Sequence, residues 1–490
     1  MRFVHHGPLT RRRFVAGTAI GLATALAAAC SGQSQPAAPT AAPSQAAPTT
    51  ATSASAPASP TAAAQPTTAA GTPTTAPTAQ SAPATPRVSL KGTSLAFIGG
   101  SYFIPDAQTL FQNQLKKWGD DNGVAVSADF LNWLDLQAKI AAVIQSGAGG
   151  DIFELWPSWP WLYAANLADV SDVAGEVEKT QGGFYDSWVT PTVKVEGIWR
   201  GVPTGTTNVA LNYRISYLQK AGIDDPEKNF PDTWDDFFAV GKKLKAMGKP
   251  LGQVLSHDLG DPPAFCYPYM WANGAMEVEE DGKTVAFDKP TFIDAMKKFI
   301  QAWKDAYDTS GINGDGSWNN RAFLSDQISA TLNGSSIYVA ALKQNPDIAK
   351  DMNHTDIPRG PAGRFYDFGS HSFGILKASK NVEGAKAFLR WWFDPKQFGE
   401  WLHIQETYQI PPTRMWENDP MWTKDPKLAA FRNDTKYGRL LGYAGPPNQK
   451  AALARSKFIV VDTFARAVQS GDAAGEIKKG AEQLQQIYGG

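Results

Sequence analysis

Residues 196–247 read EGIWRGVPTGTTNVALNYRISYLQKAGIDDPEKNFPDTWDDFFAVGKKLKAM, and they decide how the chain is built. Ile198 to Val202 and Val209 to Tyr213 have the β-branched and aromatic content of short strands, separated by Pro203, Gly205 and small hydroxyl residues. Such a pair can carry the backbone across a cleft. Ile215 to Ala221 then has helical spacing and stops at Gly222. Further on, Trp234, Phe237, Phe238, Leu244 and Met247 fall on one helix face. Thr233 and Asp236 are spaced as a capping box, and Gly248 and Pro250 are stop signals.

The order of these signals resembles the family 1 extracellular solute-binding proteins of ABC importers, the group that includes maltose-binding protein. The shared run is Gly197-x-x-x-Gly201-x-Pro203, small polar residues, a strand ending Asn212-Tyr213, a helix, Ala221-Gly222-Ile223, then Thr233-Trp234-Asp235-Asp236-Phe237. The resemblance implies an α/β fold of two lobes, periplasmic-binding-protein-like and of type II, with crossing hinge strands. It also implies a binding function that needs no enzyme chemistry and no cofactor.

Upstream, Thr10, Arg11, Arg12, Arg13, Phe14 and Val15 form a twin-arginine export pattern, followed by an apolar run to Ala29. At roughly 16 residues that run is short for a bilayer span. It ends Leu26-Ala27-Ala28-Ala29-Cys30, which resembles a lipobox and makes Cys30 the expected lipidated N-terminus. Gln33 to about Pro86 is almost wholly Ala, Pro, Thr and Ser. Such a segment cannot bury enough apolar area to offset its ordering entropy, so it reads as a disordered tether, with a glycosylated stalk as the alternative. The expected partition is signal 1–30, tether 31–87, first lobe 88–207 and 355–404, and second lobe 208–354 and 405–490.

Those roughly 400 remaining residues exceed one ordinary core and suit two lobes. Net charge is −1 with no basic stripe, which argues against a nucleic-acid partner. After Cys30 the one remaining cysteine is Cys266, so no intrachain disulfide framework is available in the folded part. The chain holds 16 tryptophans, many beside Pro, Gly, Asn or Ser, where core packing alone would not put them.

Leu95 to Ile98, Val124 to Phe130 and Asp151 to Trp156 read as strands alternating with helices, which predicts a mainly parallel sheet with ligands outside the carboxyl ends of its strands. Tyr102 after the first strand, and Trp156 and Trp159 after the third, are therefore candidate ligand contacts. Indoles held between prolines stack on the apolar faces of sugar rings at little entropic cost. Packing beneath the loop is the competing role. Thr206 in the crossing segment, Trp271 in FCYPYMWANG, Trp318 in NGDGSWNN and Tyr408 before Pro411 complete the aromatic and hydroxyl candidates. NGDGSWNN lacks the alternating oxygens and closing glutamate of a calcium loop, so no metal site is read there.

Asn333-Gly334-Ser335-Ser336 resembles the family's turn at a helix start, where free N–H groups can hold a polar atom without a charge. His371 replaces part of the family pattern before a strand, and can hydrogen-bond a hydroxyl or serve structurally. The acid pairs Asp151/Glu154 and Asp235/Asp236 read as solvated or capping rather than as hydrolytic carboxylates. With no Arg or Lys cluster in the candidate loops, a neutral sugar or polyol is the expected solute.

The leading expectation is a membrane-anchored, monomeric binding lipoprotein outside the cell membrane, passing a sugar or oligosaccharide to an ABC permease. The alternatives are a secreted carbohydrate-active hydrolase, which needs two opposed carboxyl groups, and a purely structural surface lipoprotein.

Overall fold

The computed structural model describes residues 89–490, so the signal, Cys30 and the tether lie outside the described residues. Nine strands form the two sheets that matter here. In chain order they are β1 (Ser94–Gly100), β2 (Ala125–Leu131), β3 (Ile152–Leu155), β4 (Val202–Thr207), β5 (Ala210–Arg214), β6 (Ala330–Asn333), β7 (Met352–Thr355), β8 (His371–Ile375) and β9 (Gln409–Ile410).

The first lobe is a six-stranded sheet in the order β9-β4-β8-β3-β1-β2. β1 pairs in parallel with β2 and β3, joined by helices Pro105–Asn122 and Trp133–Ser146. Gly123 ends the first helix at φ 66, and the Asn132 side chain caps the second by accepting from Leu134 N–H. β8, β4 and β9 run antiparallel, so only half of the expected parallel sheet is parallel. β4 leads into the other lobe and β8 returns from it, while β9 is a two-residue edge strand, so no crossover helix sets their direction. Phe97, Phe111, Phe373, Phe388 and Trp392 form the centre of the core beneath them, all fully buried.

The second lobe is built on the antiparallel sheet β6-β5-β7. Helices Trp234–Ala246, Asp261–Ala272, Pro290–Asp305 and the C-terminal pair Ile459–Ser470 and Ala473–Tyr488 pack together beside it. The capping box is present: Thr233 Oγ1 accepts from Asp236 N–H at 3.2 Å.

Two boundaries differ from the sequence reading. The Pro-Thr-Gly-Thr-Thr segment taken as a separator is itself β4, because its threonines favour extended backbone and Gly205 absorbs an irregularity in the β8 pairing. Gly205 has φ 111, and a Cβ there would fall on the carbonyl oxygen of Ile410. Gly205→Ala should therefore lower stability by roughly 1–3 kcal/mol, read as a reduced urea midpoint. A variant melting with the wild type would refute this packing.

Residues 405–422 also lie with the first lobe rather than the second. β9 pairs with β4, and Trp416, Met421 and Trp422 belong to the first core. A two-residue edge strand carries no periodicity from which this could be read. The chain enters the second lobe through Asn208 and Val209. Asn208 donates its side-chain amide to the Thr407 carbonyl, while its carbonyl oxygen accepts from Ser335 N–H at 3.3 Å.

Candidate functional site

A cavity of about 130 Å³ lies between the two sheets and takes its walls from both. That is room for on the order of ten waters, the scale of a small polar solute. The first lobe contributes Tyr102, Trp133, Glu154, Trp156, Thr206 and His371. The second contributes Asp258, Asp261, Asn320 and Asn333, and Tyr408 lies beside the hinge.

The first-lobe wall is built around a glycine pair. A Cβ on Gly100 would overlap the Trp133 indole, and one on Gly99 would come within 2.9 Å of Glu154 Oε2. Gly99-Gly100 thus makes room for a ring and a carboxyl group at the end of β1. Trp133 meets Trp156 edge-on at 5.0 Å, and both meet the His371 imidazole, at 5.6 and 4.6 Å. Burial pushes His371 down to about 3, so the ring is neutral. Across the cavity, a Cβ on Gly260 would lie 3.8 Å from the Trp156 ring.

Of the sequence candidates, Tyr102, Trp156, Thr206, Asn333, His371 and Tyr408 line the cavity. Trp159, Trp271, Trp318 and Ser335 do not. Trp159 is 1% exposed and packs on Trp133 and Tyr163. Trp271 is 2% exposed against Tyr267 and Tyr443, on a helix that is buried on all sides. Trp318 packs over Gly314 and Gly311, while its neighbours Gly316 and Asn320 face the cavity. Ser335 is fully buried, and the turn's N–H groups are already engaged, by Asn208 and by Asn333's own side chain at 2.7 Å.

The residues missed by sequence reasoning are the acids. Asp151 caps no helix but ties the start of β3 to β1, accepting from Ala96 N–H at 2.8 Å, and Glu154 is 6% exposed in the cavity wall rather than solvated. It accepts from Gly100 N–H at 3.1 Å, and burial pushes its carboxyl up to about 8. Asp261 accepts from the Asn319 and Asn333 amides at 2.8 and 3.1 Å. Burial, with the Asp258 charge beside it, holds Asp261 well above the usual carboxylate range. Burial raises Asp258 as well.

A native carboxyl raised from 4.5 to about 8 lets the unfolded chain release its proton first. Glu154 therefore costs the fold nothing below about pH 4.5 and destabilises it increasingly up to about pH 8. Glu154→Gln should remove that slope, roughly a kcal/mol per pH unit, in solute-free melts. Parallel pH profiles for the two proteins would contradict the assignment.

A family model described as bacterial extracellular solute-binding protein matches residues 113–430. The chain belongs to that family. Solute-binding proteins of this kind are not enzymes, which removes the hydrolase alternative. The maltose-bound MalE3 of T. maritima superposes on this solute-binding protein with TM-score 0.70 and 19% identity, covering 81% of this chain and 100% of that one. The GacH receptor of Streptomyces glaucescens, solved unliganded and with acarbose, gives 0.67 and 17%, covering 81% and 98%. The lactose-binding protein of Rhizobium radiobacter is 29% identical over 237 residues, 47% of this chain and 52% of its own length. Among the described residues no helix of the solute-binding protein is long and apolar enough to cross a membrane.

Proposed function

We propose that the protein captures a sugar or short oligosaccharide in the interlobe cavity and delivers it to an ABC permease. The supporting observation is a cavity walled by both sheets in which the Trp133 and Trp156 indoles stand beside the amide and hydroxyl groups of Asn320, Asn333, Thr206 and Tyr408. Rings of this kind stack on sugar faces while the polar groups pair with hydroxyls. Lobe closure about residues 207–208 and 367–370 gives the permease a liganded shape to distinguish from the open one. In this reading Cys30 carries the lipid, residues 31–87 tether a monomer to the outer face of the membrane, and Tyr102, Trp156, Thr206, Asn333, His371 and Tyr408 touch the solute.

A panel of mono- and disaccharides tests it by thermal melting and product analysis. The cognate sugar should stabilise by about 2.7 kcal/mol at a hundredfold excess over Kd, reversibly and without product. Silence across the panel would refute the sugar assignment.

A further inference from the structure

The charge of the cavity narrows the solute further, an argument that rests on reading this cavity as the solute site. Four carboxylates line it, Glu154, Asp258, Asp261 and Asp367, against the single cation Arg455. Arg455 is already committed, donating to both oxygens of Asp367 at 2.6 and 2.7 Å. The other three meet only uncharged donors: Gly100 N–H for Glu154, Gly260 N–H for Asp258 at 2.8 Å, and the Asn319 and Asn333 amides for Asp261. No lysine lines the cavity, and its one imidazole is the neutral His371.

These carboxylates come from both lobes, Glu154 from the end of β3 and the two aspartates from the start of helix Asp261–Ala272 and the loop before it. All three line the same cavity as the Tyr408 ring. With no cation beside them, Glu154 and Asp261 are held protonated by burial, and a positive charge placed between them favours their ionised forms. Aromatic rings around the same space favour an organic cation. Among the described residues no group of three His, Cys, Asp or Glu is placed to hold a metal ion. Trp401, 3% exposed, lines the cavity with its indole N–H unpartnered, and the buried Tyr102 hydroxyl beside it also lacks a partner.

We infer that the preferred solute is a sugar bearing a protonated amine, its ammonium held by Glu154, Asp258 and Asp261 and its ring covered by Trp133 and Trp156. Calorimetry on the full-length protein with matched probes tests this: glucosamine against glucose, galactosamine against galactose, the fully deacetylated chitosan dimer against cellobiose, and spermidine as an amine without a ring. The amino member of at least one pair should bind ten or more times tighter. Glu154→Gln and Asp258→Asn should each shrink that ratio. Neutral sugars binding as tightly as their amines in every pair that binds overturns the inference and leaves the sugar reading standing. Spermidine binding with no hexose or disaccharide binding overturns both. Binding of no probe overturns the inference, and the neutral panel then decides the sugar reading by itself.

Discussion

Trp156→Ala should weaken binding of the cognate sugar by about 2–4 kcal/mol, or roughly 30- to 700-fold in Kd by calorimetry. The ring is half-buried at the seam of the lobes, edge-on to Trp133 and His371 and close to Gly260 on the far side. Truncation removes the stacking face and loosens both neighbours. The control is Trp271→Ala, which empties a site in the second core. It should cost about 3–5 kcal/mol of stability while leaving the affinity of the folded fraction near that of the wild type. The reverse pattern, with Trp156→Ala binding normally and Trp271→Ala not, would place the solute elsewhere.

Arg455→Ala should lower the unfolding free energy by about 3–5 kcal/mol, read from urea denaturation. The guanidinium is 6% exposed, grips Asp367 with two bonds and lies 3.8 Å from the centre of the Tyr267 ring. Tyr267 in turn donates to the buried Glu277 at 2.6 Å, as does Tyr488 at 2.9 Å. Removing the cation therefore leaves the partly buried Asp367 and the buried Glu277 without their counter-charge. Most of the loss comes from that orphaned charge, not from the pair's own net worth. Arg455→Met combined with Asp367→Asn should recover a large part of it. If the double variant is no more stable than Arg455→Ala, the charge account is wrong and packing on Tyr267 carries the effect.

The elements that were legible in the sequence are those with local grammar. Helix Trp234–Ala246 announces itself through Thr233, Asp236 and its apolar stripe, and β1, β2 and β3 through short apolar stretches that follow turn glycines. Part of the cavity wall was also within reach, because Tyr102, Trp156 and Tyr408 sit where chain turns meet the ends of strands. What stayed hidden depends on packing between lobes. Glu154 looks like any acid at a strand end until β8 and the glycine pair enclose it, and nothing in SHDLGDPPAF marks Asp258 and Asp261 as facing an aromatic wall from another lobe. Trp271 and Trp318 misled for the converse reason. Their neighbourhoods read as loops with exposed rings, but one sits on a helix buried all round and the other folds over glycines.

The rim of the cavity has a practical use. Phe103 is 39% exposed and lines the cavity mouth, whereas Cys266, the one thiol among the described residues, is completely enclosed. A Phe103→Cys variant produced without the leader would thus present one reachable sulfur to a maleimide dye, on the lip of the closing jaws. The protein can be turned into a single-label optical reporter for its own solute, with no native cysteine to remove first.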